Sequence, residues 1–584
     1  MPQLNQFGRP VLQIIYATVS GNAREVAELL AREAERRRFS VRLSDATRSD
    51  VRELPEAQIA VFSVCTSGRG DMPPAFKAYW SFLRRADLSA SSLRALRFAV
   101  FGLGDSSYAK YNVAAKKLAR RLEQLGAEAL LPRGDGDEQA PDGFDSALAG
   151  WSEQLFDALS RLYPLQPGVS ELPVDACPPA RYAVRWLDGS ASAPALRRFR
   201  SDAVLMTRVT RTVRLTAPEW TQDVRRITLR GAPQYSTGDV AYVWPAPAIA
   251  ETRRVLERLG IDPDAVIAAV DPIDRAAAEP LSFPMPCTVL QLFSEYFDVL
   301  AVPSRFFFAL LSHFAQDARE RERLQLFGST AGRALRRMYS DDEQRRTADA
   351  LEHFASARPP LERLLELVPP LRPRAFSISS AGAMAPELAL TVAVVDKRTP
   401  DGRRHRGRCS AWLASLAVGD QVPLHIEPGS IVVPPLDVPL LLVGPGTGIA
   451  LPLALIDERE RTPGARGDSA LFFGNRRAAM DHLYPQLAQS PALSFYAAVF
   501  SRDENSSGVR YVQHAMRQHA ARVRTLLLEQ NAHIVVCGNA SKMPNDVRNA
   551  LLRILEEGGH RDQEAELFVR QLEATGRYQT ETWS

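Results

Sequence analysis

Phe98-Ala-Val-Phe-Gly-Leu-Gly-Asp-Ser-Ser-Tyr-Ala-Lys-Tyr111 is the stretch that decides how the chain begins to fold. Its first half is apolar, the pattern of a strand buried on both faces. It ends abruptly in glycine, an acid and hydroxyls, which marks a loop. Two similar units precede it. Val11-Leu-Gln-Ile-Ile-Tyr16 runs into Thr18-Val-Ser-Gly-Asn-Ala23. A segment with Val26, Leu29, Leu30 and Ala34 on one helical face follows. Residues 59–64 run into Cys65-Thr-Ser-Gly-Arg-Gly-Asp71. Repeated strand–loop–helix units predict a doubly wound α/β domain, whose loops meet at a topological switch point. Short hydroxyls and backbone N–H groups at a helix start suit a phosphate. The two later loops would flank a planar ring, with Tyr108 as the stacking residue. Leu130-Leu-Pro-Arg-Gly-Asp-Gly-Asp-Glu138 adds a further polar segment beside them.

The whole chain has 584 residues, 45% hydrophobic and 24% charged, which excludes a fibrous or wholly disordered protein. Net charge is +4, from 72 basic and 68 acidic residues, too balanced for a nucleic-acid binder. Five scattered cysteines form no C-x-x-C pair, so neither a disulfide framework nor a metal site is expected. A reducing, cytoplasmic setting fits this usage. No apolar stretch reaches the ~20 residues of a membrane span.

Residues 164–200 are rich in Pro, Ala and Ser and read as a linker. Beyond them, strand-like segments at 207–215, 224–229 and 238–244 are interrupted by helical ones at 251–259, 289–298, 304–314 and 318–335. That alternation predicts a β-barrel carrying a helical insertion. Arg372-Pro-Arg-Ala-Phe-Ser-Ile-Ser-Ser380 then joins cations, an aromatic ring and hydroxyls in one extended run. An arginine fork suits a pyrophosphate, and Phe376 could lie against a flavin whose N5 edge a hydroxyl reaches. Gly407-Arg-Cys-Ser-Ala-Trp-Leu413 is a glycine turn opening a helix, again suited to pyrophosphate.

Pro439-Leu-Leu-Leu-Val-Gly-Pro-Gly-Thr-Gly448 is a strand entering a glycine-rich turn. Three more strand ends follow, at 470–476, 495–501 and 533–539. Ser501, Arg502, Arg510, Tyr511, Val512 and Gln513 supply cations and hydroxyls that suit a nucleotide 2′-phosphate, as in NADPH. Near the end, Trp583 offers a large flat face able to cover a planar group.

These motifs resemble the diflavin (cytochrome P450 reductase-like) family along the whole chain. The run Gly102-Leu-Gly-Asp-Ser-Ser-Tyr108 is similar to flavodoxin-like FMN domains. The pair R-x-[YF]-[ST] and G-x-[CV]-[ST] is similar to the ferredoxin-reductase FAD motif. The resemblance implies three domains: flavodoxin-like FMN binding at 1–163, an FAD-binding barrel with helical insertion at 201–435, and a ferredoxin-reductase-type NADP-binding α/β domain at 436–584. It implies FMN contacts from Thr18, Val19, Ser20, Gly21, Asn22 and Ala23 at the phosphate. Cys65, Thr66, Ser67 and Gly68 are implied on one side of the ring. Phe101, Gly102, Leu103, Gly104, Asp105, Ser106, Ser107, Tyr108, Ala109 and Lys110 are implied on the other, with Asp137 near the ribityl chain or ring. Ser67 departs from the family, which often has an aromatic residue there. FAD falls to Arg346, Arg374, Ala375, Phe376, Ser377, Gly407, Arg408, Cys409, Ser410 and Trp583. Thr447 and Asp546 join the NADP residues. Ser377, Cys537, Glu581 and Trp583 are implied in hydride transfer, with Trp583 moving aside for nicotinamide.

Within the family, the chain is most similar to the group that serves cytosolic iron–sulfur protein assembly, supported by Gln579-Thr-Glu-Thr-Trp583. That similarity implies an anamorsin-type iron–sulfur protein as electron acceptor. The alternatives are a soluble cytochrome P450 reductase, a sulfite reductase flavoprotein, or a flavin-poor scaffold prompted by Ser67.

Overall fold

The computed structural model describes residues 4–67, 70–107, 110–187, 204–274, 281, 283–382, 387–464, 467–504 and 508–583. The chain divides into two compact units. One joins Met1–Arg200 with Ala248–Leu371, and the other joins Ser201–Pro247 with Arg372–Ser584.

The first unit begins with the expected doubly wound sheet. Its parallel strands lie in the order Ser40–Asp45, Val11–Ala17, Ile59–Cys65, Arg97–Gly104, Glu128–Ala129, and Gly134–Asp137 also pairs with Arg97–Gly104. Every residue of Ile59–Cys65 is buried, as a central parallel strand with helices on both faces requires. Helices Asn22–Arg36 and Asp145–Leu162 bury their apolar stripes on one face. Lys77–Leu83 and Val113–Gln124 cover the other.

The insertion has its own core, built from Phe293, Phe307, Phe308, Phe327 and Phe354. Phe308 and Phe327 meet edge-to-face at 5.1 Å and 81°, an arrangement the ring quadrupoles favour. Ser304 starts helix Arg305–Leu311 by accepting from the Phe307 N–H at 3.2 Å. The charged run 318–335 is not one helix: it splits into Ala318–Gly328 and Arg333–Arg337.

The segment expected as a linker is woven into this unit. Tyr182–Trp186 forms a strand antiparallel to Val266–Pro272, and Tyr182 and Val184 pack on the insertion core. The two-residue alternation that makes this strand is hidden in sequence by the surrounding Pro, Ala and Ser. Residues 188–200 lie outside the described residues.

The insertion, and the 164–187 segment that pairs with it, pack against the flavodoxin part through charge. Arg305 Nη1 reaches the Asp145 carboxylate at 2.9 and 3.1 Å, Arg181 reaches Glu35 at 2.6 Å, and Arg336 reaches Glu25 at 3.4 Å. The Arg32 guanidinium also lies over Phe306 at 4.9 Å.

The second unit opens with an antiparallel barrel. Its strands run in the order Arg374–Ser377, Val240–Val243, Gln421–Glu427, Leu205–Arg214, Val224–Arg230, Leu388–Ala393. A bridge between Ile378 and Leu390, with the Ser379 N–H donating to Ala389 O at 2.8 Å, closes the ring. Helix Arg408–Ser415 plugs the barrel with Cys409 and Leu413.

A five-stranded parallel sheet follows, in the order Phe495–Phe500, Ser469–Asn475, Leu440–Val443, His533–Asn539, Tyr578–Trp583. The switch point falls between Leu440–Val443 and His533–Asn539, where ligands of such sheets bind. Among the described residues, no helix is long and apolar enough to cross a membrane.

Candidate functional site

In the first unit, residues 18–23 join strand Val11–Ala17 to helix Asn22–Arg36. Gly21 caps that helix with φ +106°, a left-handed conformation that glycine adopts without strain. Its N–H donates to Thr18 Oγ1 at 2.8 Å, and nothing lies within 4 Å of where a Cβ would be. The turn therefore leads into the free N–H groups of a fifteen-residue helix with open space beside it. These residues fit a phosphate. Val19 and Ser20 are exposed, whereas Ala23 is buried in the core. The buried Cys65 thiol lies against the Val19 backbone, so the first two loops approach each other; burial pushes the thiol up to about 11.

The Thr66 N–H donates to Leu103 O at 2.8 Å, and Thr66 Oγ1 accepts from the Ala114 N–H at 3.3 Å. The Ser67 N–H donates to Asp71 O at 3.0 Å. In the third loop, Asp105 Oδ1 accepts from the N–H and hydroxyl of Ser107 at 2.9 and 2.6 Å. Asp137 Oδ1 accepts from the N–H groups of Ser106 and Gln139 at 2.9 and 3.0 Å. The bond from Ser106 is the chief influence holding the Asp137 carboxyl below its usual range. Asp137 therefore shapes the loop beside the expected ring.

Three expected contacts lie deeper than the loop. The Phe101 ring is fully buried 5.1 Å from Trp151, Leu103 is also buried, and Gly102 backs onto Ala115. The loop emerges only from Gly104, because the strand pairs as far as that residue. The Lys110 stem lies beside Gly70. Gly68, Tyr108 and Ala109 fall outside the described residues.

Asn112 went unnoticed in sequence. It is buried at φ +52°, packs against Gly102 and Gly104, and donates Nδ2 to Gly136 O at 3.1 Å. The available signal was an asparagine just before a helix, since asparagine tolerates left-handed backbone.

In the second unit, Arg374, Ala375, Phe376 and Ser377 form a strand antiparallel to Val240–Val243. Ala375 is exposed, and Phe376 packs partly into the barrel core. Gly407 caps helix Arg408–Ser415; a Cβ there would lie 2.7 Å from Ser410 Oγ and 2.8 Å from Val395 Cβ. Ser410 Oγ accepts from the Val395 N–H at 3.1 Å. The two halves of the motif meet at Cys409: burial raises its thiol to about 12, and the nearby Arg374 and Arg408 cations oppose that rise. Paired cations beside a helix start fit a pyrophosphate. Arg346 lies in the first unit, heading helix Thr347–His353, where its N–H donates to Asp349 Oδ2 at 2.7 Å.

Ser377 Oγ donates to Glu581 Oε1 at 2.6 Å. Glu581 Oε2 is buried and has no hydrogen-bond partner among the described residues. Burial raises the Glu581 carboxyl above its ordinary value, with the Ser377 bond opposing. Glu581 pairs directly with Cys537 across neighbouring strands, and Trp583 pairs with Asn539. Residues 581 and 583 share one face of their strand, with Trp583 37% exposed. Burial holds the Cys537 thiol well above its usual range, and Glu581 adds to the rise. Ser377 and Cys537 thus both lie beside Glu581, and Trp583 stands two residues further along the same strand.

At the glycine turn, a Cβ on Gly448 would lie 2.3 Å from Cys537 O. Only glycine lets Thr447 and the following helix come this close to the fourth strand. The Ser501 N–H donates to Asn475 O at 2.9 Å. Tyr511 is exposed and caps helix Val512–Gln518, and Gln513 Nε2 donates to Asp546 Oδ2 at 3.4 Å. Two acids lie close to these arginines: Asp503 Oδ2 accepts from the Ala478 N–H at 2.9 Å, and Glu504 is exposed. Arg502 and Arg510 are exposed and make no ion pair among the described residues, so they fit a 2′-phosphate.

Residues 14–151 match the flavodoxin family, 197–412 match the FAD binding domain, and 442–549 match the oxidoreductase NAD-binding domain. The chain is 36% identical to NADPH-dependent diflavin oxidoreductase 1 of Mus musculus, covering 98% of this chain and 100% of that one. It is 37% identical to the protein of the same name from Bos taurus and 36% to that of Arabidopsis thaliana, each alignment covering 98% of this chain and 99% of the relative. The chain belongs to the NADPH-dependent diflavin oxidoreductase family.

This diflavin oxidoreductase is an enzyme whose cofactors are FMN, FAD and NADPH. Replacing both Arg502 and Arg510 by alanine is expected to raise KM for NADPH roughly tenfold or more, since a hydrogen bond to a charged group contributes about 1.5–3 kcal/mol. KM for NADH should stay unchanged in steady-state assays. An equal loss for both nucleotides would remove these arginines from the 2′-phosphate.

Proposed function

We propose that this diflavin oxidoreductase carries electrons from NADPH through FAD and FMN to an anamorsin-type iron–sulfur protein, in the cytoplasm, during cytosolic iron–sulfur cluster assembly. The observation that carries the electron path is the cluster of Ser377, Glu581 and Cys537 at the mouth of the glycine turn. When bound, NADPH supplies a hydride, and two flavins turn that electron pair into single-electron deliveries.

The chain's own residues orient and exclude. The bond to Glu581 fixes the direction of the Ser377 hydroxyl. Burial favours a proton on the Glu581 carboxyl, whose Oε2 is itself buried. The neutral, buried Cys537 thiol adds no charge where a hydride would pass. Trp583, on the same strand face as Glu581, is placed to keep water off a flat ring. The acceptor reading rests on the similarity of the terminal run to the iron–sulfur assembly group.

The test supplies NADPH to the purified chain. Electron transfer is then compared to an anamorsin-type protein, a cytochrome P450 and a sulfite reductase hemoprotein. Transfer is expected to the first, and none there would overturn the acceptor. Flavin released on denaturation should approach one FMN and one FAD per chain; an FMN-free protein would refute the path and favour the scaffold reading.

A further inference from the structure

Glu138 stands at a junction within the first unit. Its N–H donates to Gly104 O at 3.0 Å, which ties it to the third loop. Its side chain reaches two further elements. Oε2 accepts from Asn22 Nδ2, in the phosphate turn, at 3.3 Å. Oε1 accepts from Arg333 Nη2 at 2.8 Å, and Arg333 comes from the insertion, 195 residues later.

The flavodoxin part is shaped to receive this arginine. Gly143 has φ +58°, and a Cβ there would lie 1.6 Å from Arg333 Nη1. The Phe144 ring lies beneath the guanidinium at 5.6 Å. Beside the contact is a cavity of about 620 Å³, bounded by Ser20 and Asn22 on one side and by Arg333 and Ser340 on the other. Ser340 Oγ is buried there without a hydrogen-bond partner among the described residues.

The electrostatics give Arg333 a definite role. A carboxylate beside a turn that receives a phosphate repels it. Two acids of the helix that follows this turn have their own cations: Glu28 pairs with Arg24 at 2.7 Å and Glu25 with Arg336 at 3.4 Å. Arg333 does the same for Glu138 and also holds its carboxylate against Asn22.

We infer that Arg333 of the insertion is a positioning residue for the FMN phosphate turn, acting through Glu138, so that FMN affinity depends on the insertion being in place. By linkage, bound FMN must strengthen the contact of the insertion with the flavodoxin part to the same degree. The inference rests on the reading of residues 18–23 as the phosphate site.

The experiment measures the FMN dissociation constant of the full chain, with FAD bound, by quenching of FMN fluorescence. The Arg333 and Glu138 side chains are 27% and 41% exposed, so the effect is modest and sensitive to salt. Arg333→Ala should weaken FMN about fivefold at low ionic strength, and less at high. Arg333→Lys should bind nearly as well as the wild type. Adding Glu138→Gln to Arg333→Ala should restore affinity, because the uncompensated charge is gone.

If Arg333 serves only as packing on Phe144, the double variant stays as weak as the single one, and the inference falls. Equal affinity of Arg333→Ala and wild type overturns it too, while leaving the phosphate site standing. A wild-type chain that takes up no FMN overturns the phosphate site itself.

Discussion

Glu581→Ala is expected to slow NADPH-driven flavin reduction about a hundredfold in stopped-flow absorbance, the scale on which a reacting group misplaced by about an ångström loses rate. Flavin content should not change, because among the described residues the hydrogen bond of Glu581 to the barrel motif is the one from Ser377 Oγ. Ser377→Ala should cost a similar factor. The double variant should be little worse than either single one, because the two side chains act as a pair. Independent, multiplying losses would show that hydroxyl and carboxyl act separately.

The buried carboxyl also gives a pH signature. Its pKa in the folded chain is raised above the ordinary 4.5, so the folded state binds this proton more tightly than the unfolded state. The stability contributed by that proton is fully present below about 4.5 and is lost as pH rises through the folded value. Glu581→Gln keeps the hydrogen bond from Ser377 but cannot ionise. Its thermal midpoint should therefore gain on the wild type as pH rises above 4.5. A constant difference across pH would mean that the carboxyl does not titrate in that window.

The second large effect is on stability. Arg305 and Asp145 are only 8% and 6% exposed, and the guanidinium also donates to Gly328 O at 3.1 Å and Thr330 Oγ1 at 2.8 Å. Arg305→Met removes the cation and strands Asp145, with Glu25 3.8 Å from the lost charge. Breaking such a buried pair from one side costs about 3–5 kcal/mol. The first unit should then unfold at markedly lower denaturant, read by release of FMN fluorescence. Pairing Arg305→Met with Asp145→Leu should recover much of the loss, since the stranded charge accounts for most of it. Failure to recover would place the cost in the bonds to Gly328 and Thr330.

The sequence showed clearly whatever is local and periodic. Three apolar strands ending in hydroxyl-rich loops, and a fourth ending in Gly444-Pro-Gly-Thr-Gly448, sit where their patterns place them. The convergence of Ser377 with Glu581 was legible only through a family resemblance, because 204 residues separate them and no spacing rule spans that distance. The docking of the insertion was not legible at all. Arg305, Arg333 and Arg336 are three among 72 basic residues, mostly arginine, and nothing in their neighbourhoods distinguishes them from solvated ones. The strand Tyr182–Trp186 was missed for a different reason: five alternating residues carry less weight than the Pro- and Ala-rich window around them. Asp137 accepts the N–H groups of Ser106 and Gln139, a loop-shaping role that composition does not encode.

That long separation between Ser377 and Glu581 also bears on when the enzyme becomes active. Barrel strand Arg374–Ser377 can pair with Val240–Val243 before the second sheet exists. Its hydroxyl gains its carboxyl only after Tyr578–Trp583 has docked beside His533–Asn539. Contacts so distant along the chain close late in folding. During synthesis, the glycine turn and the barrel can therefore be in place while the reducing centre is still incomplete. A nascent or nicked chain lacking its last strand would have nothing to hold the Ser377 hydroxyl, and so would be poorly able to draw electrons from NADPH and leak them to oxygen.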